Sequence, residues 1–187
     1  MCRVTGIPRD PNLLANEPTT VYLLRHAESQ PDAAVRESDW PLSERGHRQA
    51  LDLVPALTSL GMDQVYSSRY FRAVETVRPF VERAGKPLGF HADLREQRSM
   101  LVGGESDFMA QIRRRWEDFR FAPPGGESSA ACQRRVVRAI TDLVGKHPGA
   151  TLLASSRGNA ISLTLNSIDR RIKCRERSRS PSGPSPN

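Results

Sequence analysis

Apolar residues in this chain gather in short runs of strand length, with longer stretches of helical period between them. Thr20-Val21-Tyr22-Leu23-Leu24 is β-branched, aromatic or aliphatic throughout, which predicts a short buried strand, and Arg25-His26 follows directly at its C-terminal edge. From Gln30 to Pro41 charge and proline are mixed without a period. Ser43 is then placed to cap a helix with the stripe Ala50, Leu51, Val54, Leu57 and Leu60; Pro55 predicts a kink in it and Gly61 its end. Asp63 to Ser68 predicts a second strand. In the helix after it Val74, Val77, Val81 and Ala84 are expected to face the core, with Arg72 in the first turn and Gly85 at the close. Leu88 to Asp93 reads as an edge strand. Phe108, Ile112, Trp116 and Phe119 are spaced for a helix with one buried face, which Pro123-Pro124-Gly125-Gly126 breaks. Cys132, Val136, Ala139, Ile140 and Leu143 mark a longer helix from about Glu127-Ser128, and His147-Pro148-Gly149 turns the chain. A third strand, Thr151 to Ser156, leads through Arg157-Gly158-Asn159 into the apolar segment Ala160 to Leu165.

Strands alternating with helices predict an α/β fold, and open sheets of that class bind ligands beyond the C-terminal ends of their strands. Arg25 with His26, Arg72 and Arg157 all fall at such strand ends. An Arg-His pair alone more often only caps a strand, and a lone arginine in a first turn is usually just solvated. Their recurrence at several strand ends is what points to chemistry. An imidazole there can serve as nucleophile, base or metal ligand, and the arginines suit an anionic partner.

Length and charge narrow this picture. The 187 residues fit one domain, expected over 20–168, with a loose extension over 1–19 around Pro8, Pro11 and Pro18 and a disordered Arg/Ser/Pro tail over 169–187. The net charge of +7 first suggests nucleic acid. Arg170, Arg171, Lys173, Arg175, Arg177 and Arg179 against Glu176 alone put +5 of it in residues 170–187, so it says little about what the folded part binds. No aromatic residue is interleaved with those arginines, so the tail is read as solvated and not as a nucleic-acid partner. No apolar segment stands behind a basic start and no apolar run reaches membrane length, so a cytoplasmic protein with no membrane partner is expected. Cys2, Cys132 and Cys174 are too scattered for a disulfide framework or a zinc site.

The chain resembles the histidine phosphatase superfamily, also called the phosphoglycerate mutase-like family, over about residues 20 to 166. The segments that carry the resemblance are Leu24-Arg25-His26-Ala27-Glu28-Ser29, Pro41-Leu42-Ser43-Glu44-Arg45-Gly46 with Gln49-Ala50, Ser67-Ser68 with Arg72-Ala73 and Thr76, Leu94-Arg95-Glu96, Gly125-Gly126-Glu127-Ser128 with Arg135-Val136, and Ser156-Arg157-Gly158-Asn159-Ala160. The resemblance implies a three-layer α/β sandwich with a mostly parallel central sheet. It also implies phosphomonoester hydrolysis through a phosphohistidine on His26, with a small phosphorylated substrate as partner and neither cofactor nor metal. Arg25 and Arg72 then hold the phosphate, and Glu96 matches the carboxyl that protonates the leaving oxygen and later activates water.

Three departures qualify that expectation. Arg157 stands where the family places a second histidine, which keeps positive charge for phosphate but is longer, and the loss of one transition-state donor is worth about a hundredfold or more in rate. A non-catalytic phosphate-ester binder is therefore the second reading. Beyond Ile168 the tail replaces structure that members normally carry, which predicts an uncovered last strand and helix. Asp32 falls where mutases commonly have an asparagine touching the phosphate, so a phosphatase is preferred to a phosphoglycerate mutase-type transferase.

Overall fold

The last strand of the chain is the middle of the sheet. The computed structural model describes residues 2–4, 18–32, 34–98 and 105–172. Its elements in chain order are β1 (Cys2–Val4), β2 (Thr20–Arg25), α1 (Glu44–Ser59), β3 (Gln64–Ser67), α2 (Phe71–Ala84), β4 (Leu88–Phe90), α3 (Glu105–Glu117), α4 (Ser129–Lys146), β5 (Thr151–Ser156) and α5 (Gly158–Ile168). The five strands lie in the order β1-β2-β5-β3-β4. Pairing is parallel from β2 through to β4, and only β1 runs antiparallel, Arg3 opposite Tyr22. The register sets Arg25 opposite Ser156 and Ser67 opposite Ser155, so β2, β5 and β3 end level with one another.

Strand alternation divides the core into two halves. Val21 and Leu23 of β2 and Leu152 and Ala154 of β5 pack with Val136, Ala139, Ile140 and Leu143 of α4 and with Ala160 and Leu163 of α5. On the other face Leu24, Leu153 and Val65 meet Val54 and Leu57 of α1 and Val77, Phe80 and Val81 of α2. This is a three-layer α/β/α sandwich, as expected. Leu152 and Leu153 are buried from both sides, so the last strand is not left uncovered as its early end in the chain suggests. Exposure is confined to the helix end, where Ile168 is 61% accessible.

Several details differ from the sequence expectation. Cys2–Val4 forms an edge strand within a stretch where no element is expected. Leu51 is 60% exposed because the stripe of α1 runs Ala50, Val54, Leu57, and Leu51 lies one residue, about 100° of helix, off that line. α1 continues through Pro55 to Ser59. In α2 the buried line is Ala73, Thr76, Val77, Phe80 and Val81; Val74 is half-buried and Ala84, in the last turn, is exposed. The expected strand to Asp93 stops at Phe90 and gives way to a 3-10 turn over Ala92–Leu94. α3 ends at Glu117, so Phe119 sits in the turn beyond it and meets Trp116 edge-to-face at 5.5 Å. The most buried described side chain of α3 is Arg115, at 1% exposure, while the Phe108 side chain lies outside the described ones. The tail from 173 onward also lies outside the described residues. Among the described residues no helix is long and apolar enough to cross a membrane.

The start of α1 is locked to the strand edge that carries His26. Ser43 accepts from the Gly46 N–H at 3.0 Å, its own N–H donates to the Glu28 carbonyl at 3.0 Å, and Ser29 bridges to Leu42. A Cβ on Gly46 would lie 2.0 Å from that same Glu28 carbonyl oxygen. Gly46→Ala is therefore expected to destabilise the protein by about 1–3 kcal/mol as an overpacking change. Urea unfolding reads this as a lower midpoint at unchanged slope. An unchanged midpoint shows that helix and strand edge can separate freely.

Candidate active site

Level strand ends deliver the site. Past β2 the His26 N–H continues the ladder to the Ser156 carbonyl at 3.0 Å, so the imidazole starts from the sheet itself. Arg72 enters from the first turn of α2, Arg157 from the residue before α5, and Glu96 from the segment after the Ala92–Leu94 turn. Small hydroxyls fasten these pieces. Ser155 donates to Ala73 O at 3.0 Å, Ser156 to Leu94 O at 2.6 Å, and Thr76 to Arg72 O at 2.6 Å while accepting the Ala27 N–H at 2.9 Å. The Ser155, Ser156 and Ala27–Thr76 bonds each tie a strand end to a neighbouring element, which explains why Ser and Thr occupy buried positions here.

The imidazole of His26 has one assigned direction. Nδ1 lies 2.6 Å from the Ala27 carbonyl, and a carbonyl only accepts, so Nδ1 carries the proton and Nε2 keeps a lone pair. Burial pushes the His26 pKa down most; the bond to Ala27 opposes it, and the charges of Arg157, Arg72 and Arg25 push down again, to about 3. The ring is neutral at pH 7.

The cations differ in their surroundings. Arg72 is fully buried, lies over Tyr70 at 5.0 Å and Trp40 at 5.4 Å, and donates to the Glu37 carbonyl and, at 3.3 Å, to Glu37 Oε1. Burial and Arg157 lower its pKa to about 10, still a cation at neutral pH. Arg157 donates from Nη1 to the same Glu37 oxygen, and its Nε faces Glu96 Oε2 at 3.5 Å without a hydrogen bond. Nε of Arg72 likewise has no hydrogen-bond partner. Arg25 is exposed at the rim, its Nε 3.3 Å from where a Cβ on Gly158 would stand. Glu96 Oε1 accepts from the N–H groups of Gln97 at 2.7 Å and Ala160 at 3.0 Å, which leaves Oε2 turned toward Arg157.

Behind Glu96 lies a clamp. Arg135 gives Nε and Nη2 to the two oxygens of Glu127, at 2.9 and 2.7 Å, and Nη1 to the carbonyls of Asp93 and Arg95. Burial alone raises the Glu127 carboxyl; the bonds and charges from Arg135 and Arg95 outweigh it and hold the group below the usual range. The clamp fixes the segment from which Glu96 projects.

The structure thus brings Arg25, His26, Arg72, Glu96 and Arg157 to one sheet edge. Glu37, Tyr70 and Trp40 also belong to it and carry no signal in the sequence: Glu37 and Trp40 lie in the stretch without a period, and Tyr70 looks like any loop aromatic. Asp32 is elsewhere in its role, with Oδ1 accepting the Ala34 N–H at 2.8 Å within its own loop. The buried Cys132 thiol is pushed up to about 12 by burial and is inert as a nucleophile. Among the described residues no three His, Cys, Asp or Glu side chains are grouped to hold a metal ion.

A family model for the histidine phosphatase superfamily, branch 1, matches residues 21–175. The chain belongs to the histidine phosphatase superfamily. A relative in this superfamily is the probable phosphoglycerate mutase GpmB of Salmonella newport, 30% identical over 160 residues that span 79% of this chain and 74% of the relative. Mycobacterial glucosyl-3-phosphoglycerate phosphatase, solved in complex with inorganic phosphate, superposes with a TM-score of 0.66 at 25% identity, covering 79% of this chain and 77% of that one. YhfR of Bacillus stearothermophilus shares the fold with a TM-score of 0.68 at 24% identity, over 83% and 82% of the two chains. In this member of the superfamily Arg157 stands just past β5, where the resemblance implies a second histidine.

Because the native imidazole refuses a proton until about pH 3 while an unfolded one accepts it near 6.5, native stability falls as pH drops through that window. Above pH 6.5 the group contributes no slope. His26→Ala is expected to lose less melting temperature than the parent between pH 6.5 and 4. Parallel pH profiles of the two proteins would show that the imidazole is not held neutral.

Proposed function

We propose that this chain hydrolyses phosphate monoesters through a phosphohistidine at His26. The observation that carries the reading is the His26 imidazole, its Nδ1–H on a backbone carbonyl and its Nε2 unprotonated among three guanidinium groups. Nε2 forms the N–P bond as the ester P–O bond breaks, and a proton from Glu96 Oε2 goes to the leaving oxygen. Water then attacks phosphorus, gives its proton to Glu96, and returns the imidazole. Arg25, Arg72 and Arg157 hold the oxygens that carry the transition-state charge. Hydrolysis is preferred to transfer between hydroxyls because solved relatives at 25% identity include phosphatases, among them the alpha-ribazole-5'-P phosphatase described as putative from Escherichia coli.

One observation favours the second reading, a binder that does not turn over. Arg157 places a permanent cation 3.5 Å from the Glu96 oxygen that must handle the proton, and a guanidinium cannot itself exchange one there.

The two readings separate on labelling. Incubation with a ³²P-labelled small phosphate ester is expected to give an acid-labile, base-stable label that is absent from His26→Ala. Arg157→His is expected to raise kcat about tenfold or more by replacing the fixed cation beside Glu96 with the imidazole donor that the resemblance implies. Turnover that survives His26→Ala rejects the hydrolytic reading, and saturable binding with no label in either parent or Arg157→His establishes the binder.

A further inference from the structure

Glu37 is an anion already seated on the two cations that a phosphate needs. Its Oε1 takes Nη1 of Arg157 and, at 3.3 Å, Nη2 of Arg72, and its main-chain carbonyl takes Nη1 of Arg72. Tyr70 supports both guanidinium groups from one side, at 5.0 and 5.9 Å, and Trp40 backs Arg72 from the same loop as Glu37. That loop is closed on itself. Gln30 N–H meets Pro41 O at 2.9 Å, Trp40 Nε1 donates to Asp32 O at 2.8 Å, and Arg36 pairs with Asp39 at 3.0 Å. The loop therefore keeps its own bonds when the Glu37 side chain lets go, and that side chain is 32% exposed, with an outward path to water.

We propose that Glu37 is an internal competitor for the phosphate site, paired with Arg157, and that it sets which anions the site accepts. The proposal rests on the reading that the site binds phosphate. A singly charged anion that takes the place of the Glu37 carboxylate gains no charge against Arg72 and Arg157. A dianionic monoester gains one. The pairing thus favours phosphate monoesters over diesters and carboxylates. It also makes the two sequence features one device: the arginine at position 157 has its countercharge supplied at position 37.

Calorimetric titration with inorganic phosphate tests this on the full chain, with the parent, Glu37→Gln, Glu37→Ala, Arg157→His and the double variant Glu37→Gln with Arg157→His. Glu37→Gln and Glu37→Ala are expected to bind phosphate at least about tenfold more tightly, since the competent state no longer has to be released first. In the Arg157→His background the gain from Glu37→Gln is expected to shrink by threefold or more, because half of the bridge is already gone. Equal phosphate affinity in the parent, Glu37→Gln and Glu37→Ala overturns the proposal while leaving phosphate binding intact. Additive effects of the two substitutions overturn the pairing, and absence of phosphate binding in every protein overturns both the proposal and the reading beneath it. Tighter binding in Glu37→Gln without a label on His26 supports the competitor and rejects hydrolysis separately.

Discussion

Three guanidinium groups around one imidazole repel one another, and the sheet holds them against that repulsion together with Glu37, which bridges two of them. β2, β5 and β3 end level, so His26, Arg157 and the start of α2 are fixed by backbone pairing before any side chain interacts. Thr76 closes this frame by accepting the Ala27 N–H and donating to Arg72 O, which ties α2 to the residue whose carbonyl meets the His26 ring. The low His26 pKa follows from this enforced crowding as well as from burial. Within this frame the His26 ring is unprotonated at neutral pH.

Two kinds of buried arginine can be told apart by how their donors are used. Arg135 has every nitrogen occupied, two of them on Glu127 and one on two carbonyls, and such a saturated pair is costly to break and has no capacity for a ligand. Arg72 and Arg157 each keep an Nε without a hydrogen bond and share a single carboxylate oxygen. Unsatisfied donors on a buried cation are destabilising, so their retention at the same edge as His26 points to an anion as what they serve. The clamp and the site meet at Glu96, whose segment the first fixes and whose Oε2 the second faces.

Elements and their order could be read from the sequence because period and capping are local: Ser43 and Ser128 do cap helices, and Gly85 does close α2 with a left-handed φ of 59°. What could not be read depends on tertiary neighbours. β1 is three residues long on a sheet edge, too short for an alternation to show. Arg115 is buried among residues whose spacing promised a purely apolar face, since a guanidinium that reaches the Gln111 and Arg98 carbonyls can occupy an interior position. Arg25, His26, Arg72 and Arg157 were legible because each lies at or just past the C-terminal end of a strand that its apolar run predicts. Glu37 was not, because a loop closed by its own hydrogen bonds has no periodicity to betray which side chain turns inward.

The arginine at position 157 changes proton chemistry more than it changes charge. An imidazole can hold a phosphate oxygen and also exchange a proton near neutral pH, whereas a guanidinium offers more donors and stays protonated. Arg72 makes the point within this site, remaining a cation at pH 7 even after burial and a like charge have brought it down to about 10. His26 Nδ1 is committed to Ala27, and in the proposed mechanism Nε2 is committed to phosphorus. In that mechanism Glu96 is the group that moves a proton to the leaving oxygen and from water. Its Oε1 is fixed by two backbone N–H groups, so that traffic runs through Oε2, the atom that Arg157 faces at 3.5 Å. On the proposed reading phosphate affinity and turnover are separable: the first would follow the guanidinium donors that Glu37 covers, the second the proton traffic at Glu96 Oε2, beside which Arg157 stands.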